Sequence, residues 1–302
     1  MADNVSFKGV MTELITPFTE DGQVDYPLLR GEVAYQLQNG IKALFTNGIA
    51  SESLSLTAEE LVETTKTVVE AAGDRALVMG NIACQTLPEA MQVLRGYEAA
   101  GVDAVCIQQP CVYSIPQEEL VAYFDAIASA TALPAGIYNA PQTGNTLSPA
   151  SVAAIFKHNG NMQFYKESTI DFVHIQNTMR LIGPDRPMTF LNGSDATTFS
   201  VMQLGGAGVV SLISAVFPKA VLKLVNAMEA GDIAGGRAAQ NEILLIREAL
   251  KTGPFVAGYK YAAGLMGVPL GYMRRPLAEL SEDEKEKIKT SLEKLRLVLV
   301  TD

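Results

Sequence analysis

Eight short apolar runs, rich in β-branched or aromatic residues, recur along the chain with longer stretches between them. This alternation restricts the fold more than any other feature. The runs cover residues 10–16, 43–47, 77–81, 104–108, 135–139, 163–166, 188–192 and 208–213. Apolar residues at helical spacing fill intervening stretches such as 54–72, 88–100, 117–130 and 196–204. Strand, helix and strand repeated in this order imply parallel pairing. Eight such units within about 210 residues, with no Pro/Gly/Ser linker between them, match the size of a closed α/β (β/α)8 TIM barrel. The competing architecture, an open doubly wound sheet, usually carries a Gly-rich turn after its first strand, and none follows residues 10–16.

Past the eighth run, helical patterning continues at 220–230, 233–250 and 281–298. We therefore expect residues 1–218 to supply the barrel strands and helices, and residues 219–302 the last barrel helix and a C-terminal helical extension of the same domain. Helix-start signals agree with this division: Thr57 is followed three residues on by Glu60, and Ser281 by Glu284, the spacing of a capping box. The run Gly205-Gly206-Ala207-Gly208 precedes a strand and lacks both the G-x-G-x-x-G spacing and a following Lys-Ser/Thr, so it reads as a helix stop and turn.

Composition narrows the function. The chain of 302 residues is 48% hydrophobic and 19% charged, enough to bury a sizeable core. A formal charge of −10 and a pI near 4.8 repel a phosphate backbone, which argues against a nucleic-acid partner. No basic leader with an apolar run is visible, and no apolar stretch approaches about 18 residues. A cytoplasmic protein with no membrane partner is expected. Cys84, Cys106 and Cys111 form neither a C-x-x-C pair nor a metal quartet, and His158 and His174 are the only histidines, so neither a metal nor a cofactor is expected.

In a parallel barrel the functional side chains stand at the C-terminal ends of strands. Polar residues there include 12–16, 46–52, Asn81, Gln108, Gln109, Tyr138, Asn139, Lys166, Glu167, 192–195 and 211–214. Lys166 follows Gln163-Phe164-Tyr165, in an apolar and aromatic neighbourhood where desolvation depresses an amine pKa. A neutral amine attacks a carbonyl, and the protonated imine then draws electrons from the adjacent C–C or C–H bond. The alternative is a structural lysine paired with a carboxylate such as Glu167 or Asp171. Tyr138, at the end of the fifth run, is placed to move a proton between substrate oxygen and imine nitrogen, or else packs as an aromatic with its hydroxyl on a loop. The turn from Thr46 to Ser53 exposes backbone N–H groups that can hold a carboxylate; it is equally read as a tight strand-to-helix turn capped by Ser51 or Ser53.

These residues resemble the dihydrodipicolinate synthase/N-acetylneuraminate lyase family of pyruvate-type class I aldolases. The resemblance spans nearly the whole chain. It is carried by Thr12-Glu13-Leu14-Ile15-Thr16-Pro17-Phe18, Gly48 to Glu52, Tyr138-Asn139-Ala140-Pro141, Lys166-Glu167-Ser168, Gly193-Ser194-Asp195 and Gly205 to Ser211. It implies Lys166 as the Schiff-base lysine and Tyr138 as the proton-moving tyrosine. It implies Gly48, Ile49 and Ala50 as the carboxylate loop, with Gly193, Ser194, Asp195 and Val210 lining the site. It also implies a homo-oligomer, a tetramer of paired dimers.

The departures bear on substrate. Where the family commonly has Gly-Thr-Thr-Gly-Glu or Gly-Ser-Thr-Gly-Glu, this chain has Gly48-Ile49-Ala50-Ser51-Glu52, so both loop hydroxyls are missing from their usual places. Carboxylate binding then relies on backbone N–H groups, with Ser51 nearby. The relay tyrosine contributed by a neighbouring subunit aligns with Val112 or Tyr113, depending on whether Pro110 or Pro116 anchors the count. The arginine expected after the Tyr-Asn-x-Pro segment is absent, since the chain reads Pro141-Gln142-Thr143-Gly144. The expectation is a Schiff-base aldolase or dehydratase acting on a 2-oxo acid such as pyruvate or a 2-oxo-3-deoxy sugar acid. The alternatives are a condensation of pyruvate with an aldehyde and a catalytically impaired homologue that binds a small acid.

Overall fold

A computed structural model of the protein describes residues 7–297 apart from 185 and 187. The outermost residues of the expected segments, 1–6 and 298–302, lie outside that range. The eight apolar runs form eight parallel strands closed into one barrel in sequence order. They are β1 (Gly9–Glu13), β2 (Ala43–Thr46), β3 (Leu77–Ile82), β4 (Ala104–Gln108), β5 (Ala135–Asn139), β6 (Met162–Glu167), β7 (Thr189–Asn192) and β8 (Gly208–Ser211). β1 pairs with both β2 and β8, which leaves no free edge. At that closure the backbones come so close that a Cβ on Gly208 would lie 2.0 Å from the Gly9 carbonyl oxygen; only glycine fits.

The outer ring consists of α1 (Tyr26–Gln38), α2 (Ala58–Ala72), α3 (Leu87–Ala100), α4 (Gln117–Ser129), α5 (Pro149–His158), α6 (Phe172–Ile182), α7 (Thr198–Gln203) and α8 (Pro218–Glu229). Three further helices follow, α9 (Ile233–Leu250), α10 (Ala257–Leu265) and α11 (Glu282–Lys294). Both expected capping boxes form: Thr57 and Glu60 open α2, and Ser281 and Glu284 open α11. The helix expected from residue 54 starts only at Ala58, because residues 53–55 turn as a short 3-10 helix before the Thr57 cap. Likewise Asp195–Thr197 forms a 3-10 turn ahead of α7. After α7 the chain turns at Gly205, in the left-handed region at φ 96°, and enters β8, as the helix-stop reading expected.

Strand alternation sorts side chains into two environments. Met11, Phe45, Met79, Cys106, Tyr138, Phe164 and Val210 pack together inside the barrel, and their neighbours in sequence face the helices. Lys166 stands two residues beyond Phe164, so its side chain shares that interior. The C-terminal helices reach back over the strand ends, where Gln240 of α9 donates to the Asp195 carbonyl at 2.9 Å and accepts from the Phe199 N–H at 2.8 Å. Among the described residues no helix is long and apolar enough to cross a membrane.

Candidate active site

Tyr138 and Lys166 are register partners on adjacent strands β5 and β6. Lys166 is 1% exposed, and its Nζ lies 3.7 Å from the centre of the Tyr138 ring and 4.0 Å from that of Phe45. A cation so placed is attracted to the ring faces. The strongest contact comes from across the barrel: Nζ donates to Glu13 Oε2 at 2.8 Å, and Glu13 is only 5% exposed. The other Glu13 oxygen, Oε1, accepts the Ala50 N–H at 3.0 Å. Glu13 thus bridges the lysine and the loop after β2.

The pairing corrects the expectation of a depressed amine pKa. Burial alone pushes the Lys166 ammonium down, but the Glu13 carboxylate, helped by Tyr138, outweighs it and holds the pKa above the ordinary lysine range. The resting group is an ammonium. Burial raises the Tyr138 phenol, against the lowering pull of Lys166. Neither carboxylate named as an alternative partner is the one that pairs. Glu167 points to the opposite face of β6, where it accepts from Asn139 Nδ2 at 2.8 Å and from the Tyr165 hydroxyl, and lies 3.2 Å from His174 Nε2. Asp171 caps α6 through the Val173 and His174 N–H groups.

Over this pair opens a cavity of about 540 Å³. Its wall includes Glu13, Ile49, Ala50, Tyr138, Gly193, Ser194, Asp195 and Val210. Lys166 sits behind Glu13 and Tyr138, the lining side chains that touch its amine. The structure therefore brings together most of the expected site residues. Gly48 contributes by closeness: a Cβ there would fall 2.2 Å from Glu13 Oε1. Ser51 does not face the cavity, because its hydroxyl donates to the Leu14 carbonyl beneath the loop. Asp195 lines the wall but is also committed, accepting from the Ser211 hydroxyl and from the Leu212 and Ile213 N–H groups at 3.1 and 3.2 Å. Burial raises its pKa against these bonds. Val112 and Tyr113 are both exposed, on the loop between β4 and α4. A separate cavity of about 870 Å³ lies between residues 20–22 and 272–279, away from the strand ends.

Several wall residues were not singled out in the sequence. Glu13 is the foremost, and the signal for it was present: the one carboxylate of the first strand, on the same parity as Met11. Arg247, Lys251, Phe255 and Tyr259 reach the cavity from α9, α10 and the segment between them. Burial, then the neighbouring Arg247, lowers the Lys251 pKa.

The loop from Gly48 to Glu52 is fixed from below. Glu52 adopts a left-handed backbone, φ 57°, which costs a non-glycine residue energy and persists only where its surroundings hold it. Here Lys260 of α10 pairs with Glu52 Oε1 at 2.7 Å, and the Arg274 N–H donates to Oε2 at 3.0 Å. Arg274 also makes a two-pronged pair with Glu60 at 2.7 and 2.6 Å.

Residues 6–295 match the dihydrodipicolinate synthetase family. The chain belongs to that family. It is 33% identical over 293 residues to a 4-hydroxy-tetrahydrodipicolinate synthase of Geobacter sulfurreducens, covering 97% of this chain and 100% of that protein. It is 32% identical to the synthase of Moorella thermoacetica over 96% of this chain and 98% of that one. Among solved structures it is similar to YagE, a prophage protein of the dihydrodipicolinic acid synthase family from E. coli, determined in complex with pyruvate. That match has a TM-score of 0.92 and 27% identity, over 97% of this chain and 100% of that one. The dihydrodipicolinate synthase of Aquifex aeolicus matches with a TM-score of 0.91 and 28% identity, over 98% and 100% of the chains. The family is one of class I, Schiff-base aldolase-type lyases.

Proposed function

We propose that the protein is a Schiff-base-forming lyase, an aldolase or dehydratase, whose Lys166 condenses with the carbonyl of a 2-oxo acid such as pyruvate or a 2-oxo-3-deoxy sugar acid. The observation that carries the reading is the buried Lys166 amine at the end of β6, held between an aromatic phenol and a carboxylate beside a cavity of about 540 Å³. Attack by Nζ, loss of water and protonation of the imine give an electron sink next to the bond that breaks. Tyr138 moves protons at that centre. The loop of Gly48, Ile49 and Ala50 faces the substrate carboxylate, with the Ala50 N–H already given to Glu13, and Gly193, Ser194, Asp195 and Val210 line the space for the rest of the substrate. The pyruvate complex of YagE and the names of the synthase relatives support the substrate class.

The reaction in the synthase direction, condensation of pyruvate with an aldehyde, uses the same imine. Ile49 and Ala50 carry no hydroxyl and no arginine follows Pro141, which favours the lyase reading for this chain. Exposed Val112 and Tyr113 support association into a homodimer or tetramer. The three unpaired cysteines support a reducing, cytoplasmic compartment.

Borohydride reduction in the presence of pyruvate and a panel of 2-oxo acids, read by peptide mass spectrometry, tests the reading. Label on Lys166, absent from Lys166→Ala, is expected. An unlabelled Lys166 across the panel overturns it. Thermal stabilisation by the same acids without label or turnover would instead identify an acid-binding homologue.

A further inference from the structure

Among the described residues, Glu13 supplies the one carboxylate within ion-pair distance of Lys166. Its position is over-determined. One oxygen is held by the ammonium, the other by the Ala50 N–H, and Gly48 leaves room for it where any Cβ would clash. No hydroxyl of the adjoining loop can do proton work at the amine: Ile49 and Ala50 have none, and that of Ser51 donates to Leu14. A lysine resting as an ammonium cannot attack a carbonyl until a base takes its proton. Glu13 Oε2 is at hydrogen-bond distance from that proton.

We propose that Glu13 is the acid–base partner of Lys166 in imine formation, a role that rests on the Schiff-base reading above. Glu13 removes one proton from the ammonium, leaving a neutral amine and a carboxylic acid. The amine lone pair then forms the C–N bond, and the carbonyl oxygen picks up a second nitrogen proton to give the carbinolamine. Glu13 returns its proton to that hydroxyl, the C–O bond breaks, and water leaves. An iminium carrying the last nitrogen proton remains beside a restored carboxylate. The lysine ammonium and Glu13 carboxylate are thus replaced by an iminium and a carboxylate of the same total charge. The same transfer removes the charge pairing that keeps the amine behind Glu13, so proton removal and access to the cavity occur together.

The test is the rate of borohydride trapping by pyruvate at Lys166 in wild type, Glu13→Gln, Glu13→Ala and Glu13→Asp. Glu13→Gln keeps the shape and is expected to trap at least about 100-fold more slowly, the lower range for loss of a general acid–base group. Glu13→Ala is expected to be equally slow and to be accelerated saturably by added formate, which fits the vacated place and restores a base. Should Glu13→Gln fail to fold, Glu13→Asp, with its carboxylate drawn back by one methylene, is expected to trap at least about tenfold more slowly. Trapping by Glu13→Gln or Glu13→Ala as fast as wild type or faster overturns the inference, leaves the Schiff-base reading standing, and marks Glu13 as a plug over the amine. A slow Glu13→Ala that formate does not restore also overturns it, in favour of a structural role. Wild type left unlabelled by every 2-oxo acid is the distinct signature of failure of the Schiff-base reading itself, and the inference falls with it.

Discussion

Glu32 offers a quantitative test of the electrostatics beneath the site. It lies on α1, fully buried, with Oε1 accepting the Ile15 N–H at 3.0 Å and Oε2 without a hydrogen-bond partner among the described residues. Burial raises its pKa from an ordinary 4.5 to about 8, against the Ile15 N–H and the distant Lys260 charge, which lower it. The folded protein therefore keeps a proton that the unfolded chain releases. The resulting stability is fully present below the unfolded pKa of 4.5 and is lost as pH rises through about 8. At about 1.4 kcal/mol per unit of pKa, the loss amounts to about 5 kcal/mol. Glu32→Gln keeps the acceptor for Ile15 and has nothing to ionise. Its stability should match wild type within about 1 kcal/mol near pH 5 and exceed it by about 5 kcal/mol near pH 9. At roughly 2 °C per kcal/mol for a chain of this length, the Tm gap opens by about 10 °C. Thermal melts by circular dichroism across this range, at one scan rate, read the gap directly, and contributions of other groups cancel in the comparison. Parallel Tm curves for the two proteins would refute the reasoning, because they would require Glu32 to be ionised in the fold already at low pH.

Two further substitutions address the loop that holds Glu13. Gly48→Ala brings a methyl within 2.2 Å of Glu13 Oε1 and displaces a buried, paired carboxylate, so the fold should lose about 3 kcal/mol while imine trapping falls about 100-fold; unchanged trapping would mean that the placement of Glu13 is unimportant. Lys260→Met leaves Glu52 buried beside an uncompensated site and should destabilise the protein by about 3 kcal/mol in urea unfolding, with Glu52→Gln in the same chain recovering most of it; equal losses in the single and double variants would show that the pair is not coupled.

How much of this was legible in the sequence depended on the range of the interaction concerned. Periodicity reports local conformation, and eight strands alternating with helices leave few ways to pair, so the barrel and the placement of Tyr138 and Lys166 at neighbouring strand ends followed. The protonation state of Lys166 did not follow. Its decisive neighbour lies 153 residues away, across the barrel, and which carboxylate completes the pair depends on strand parity and barrel closure together. Glu167, adjacent in sequence, faces the other side of the sheet for the same reason that Glu13 faces inward. Ser51 shows the converse: a hydroxyl in the right segment, turned downward by a 3-10 helix whose geometry no composition rule reveals. The wall built by Arg247, Lys251 and Tyr259 depends on how the C-terminal helices fold back over the mouth, which helical patterning alone leaves open.

The Glu13 pair also bears on why an ammonium rests where a nucleophile is needed. Burying a lone charge in a protein interior is costly, and burying a matched pair is tolerable only when its remaining hydrogen-bonding atoms are satisfied. The Ala50 N–H satisfies the second oxygen of Glu13, and the rings of Phe45 and Tyr138 face the cation. The resting pair and the iminium pair carry the same charges, so surroundings organised for the first already suit the second. The neutral amine and acid occur only in passing between them. A barrel interior that held a neutral lysine would have to reorganise its dipoles around a new positive charge at each imine formed; this one has its counter-charge set in advance, which is the electrostatic condition for lowering the barrier to charge formation at a buried amine. By this argument the absence of hydroxyls on Ile49 and Ala50 and the placement of Glu13 act together in how this barrel handles a proton. Gly48 is the steric requirement of that placement.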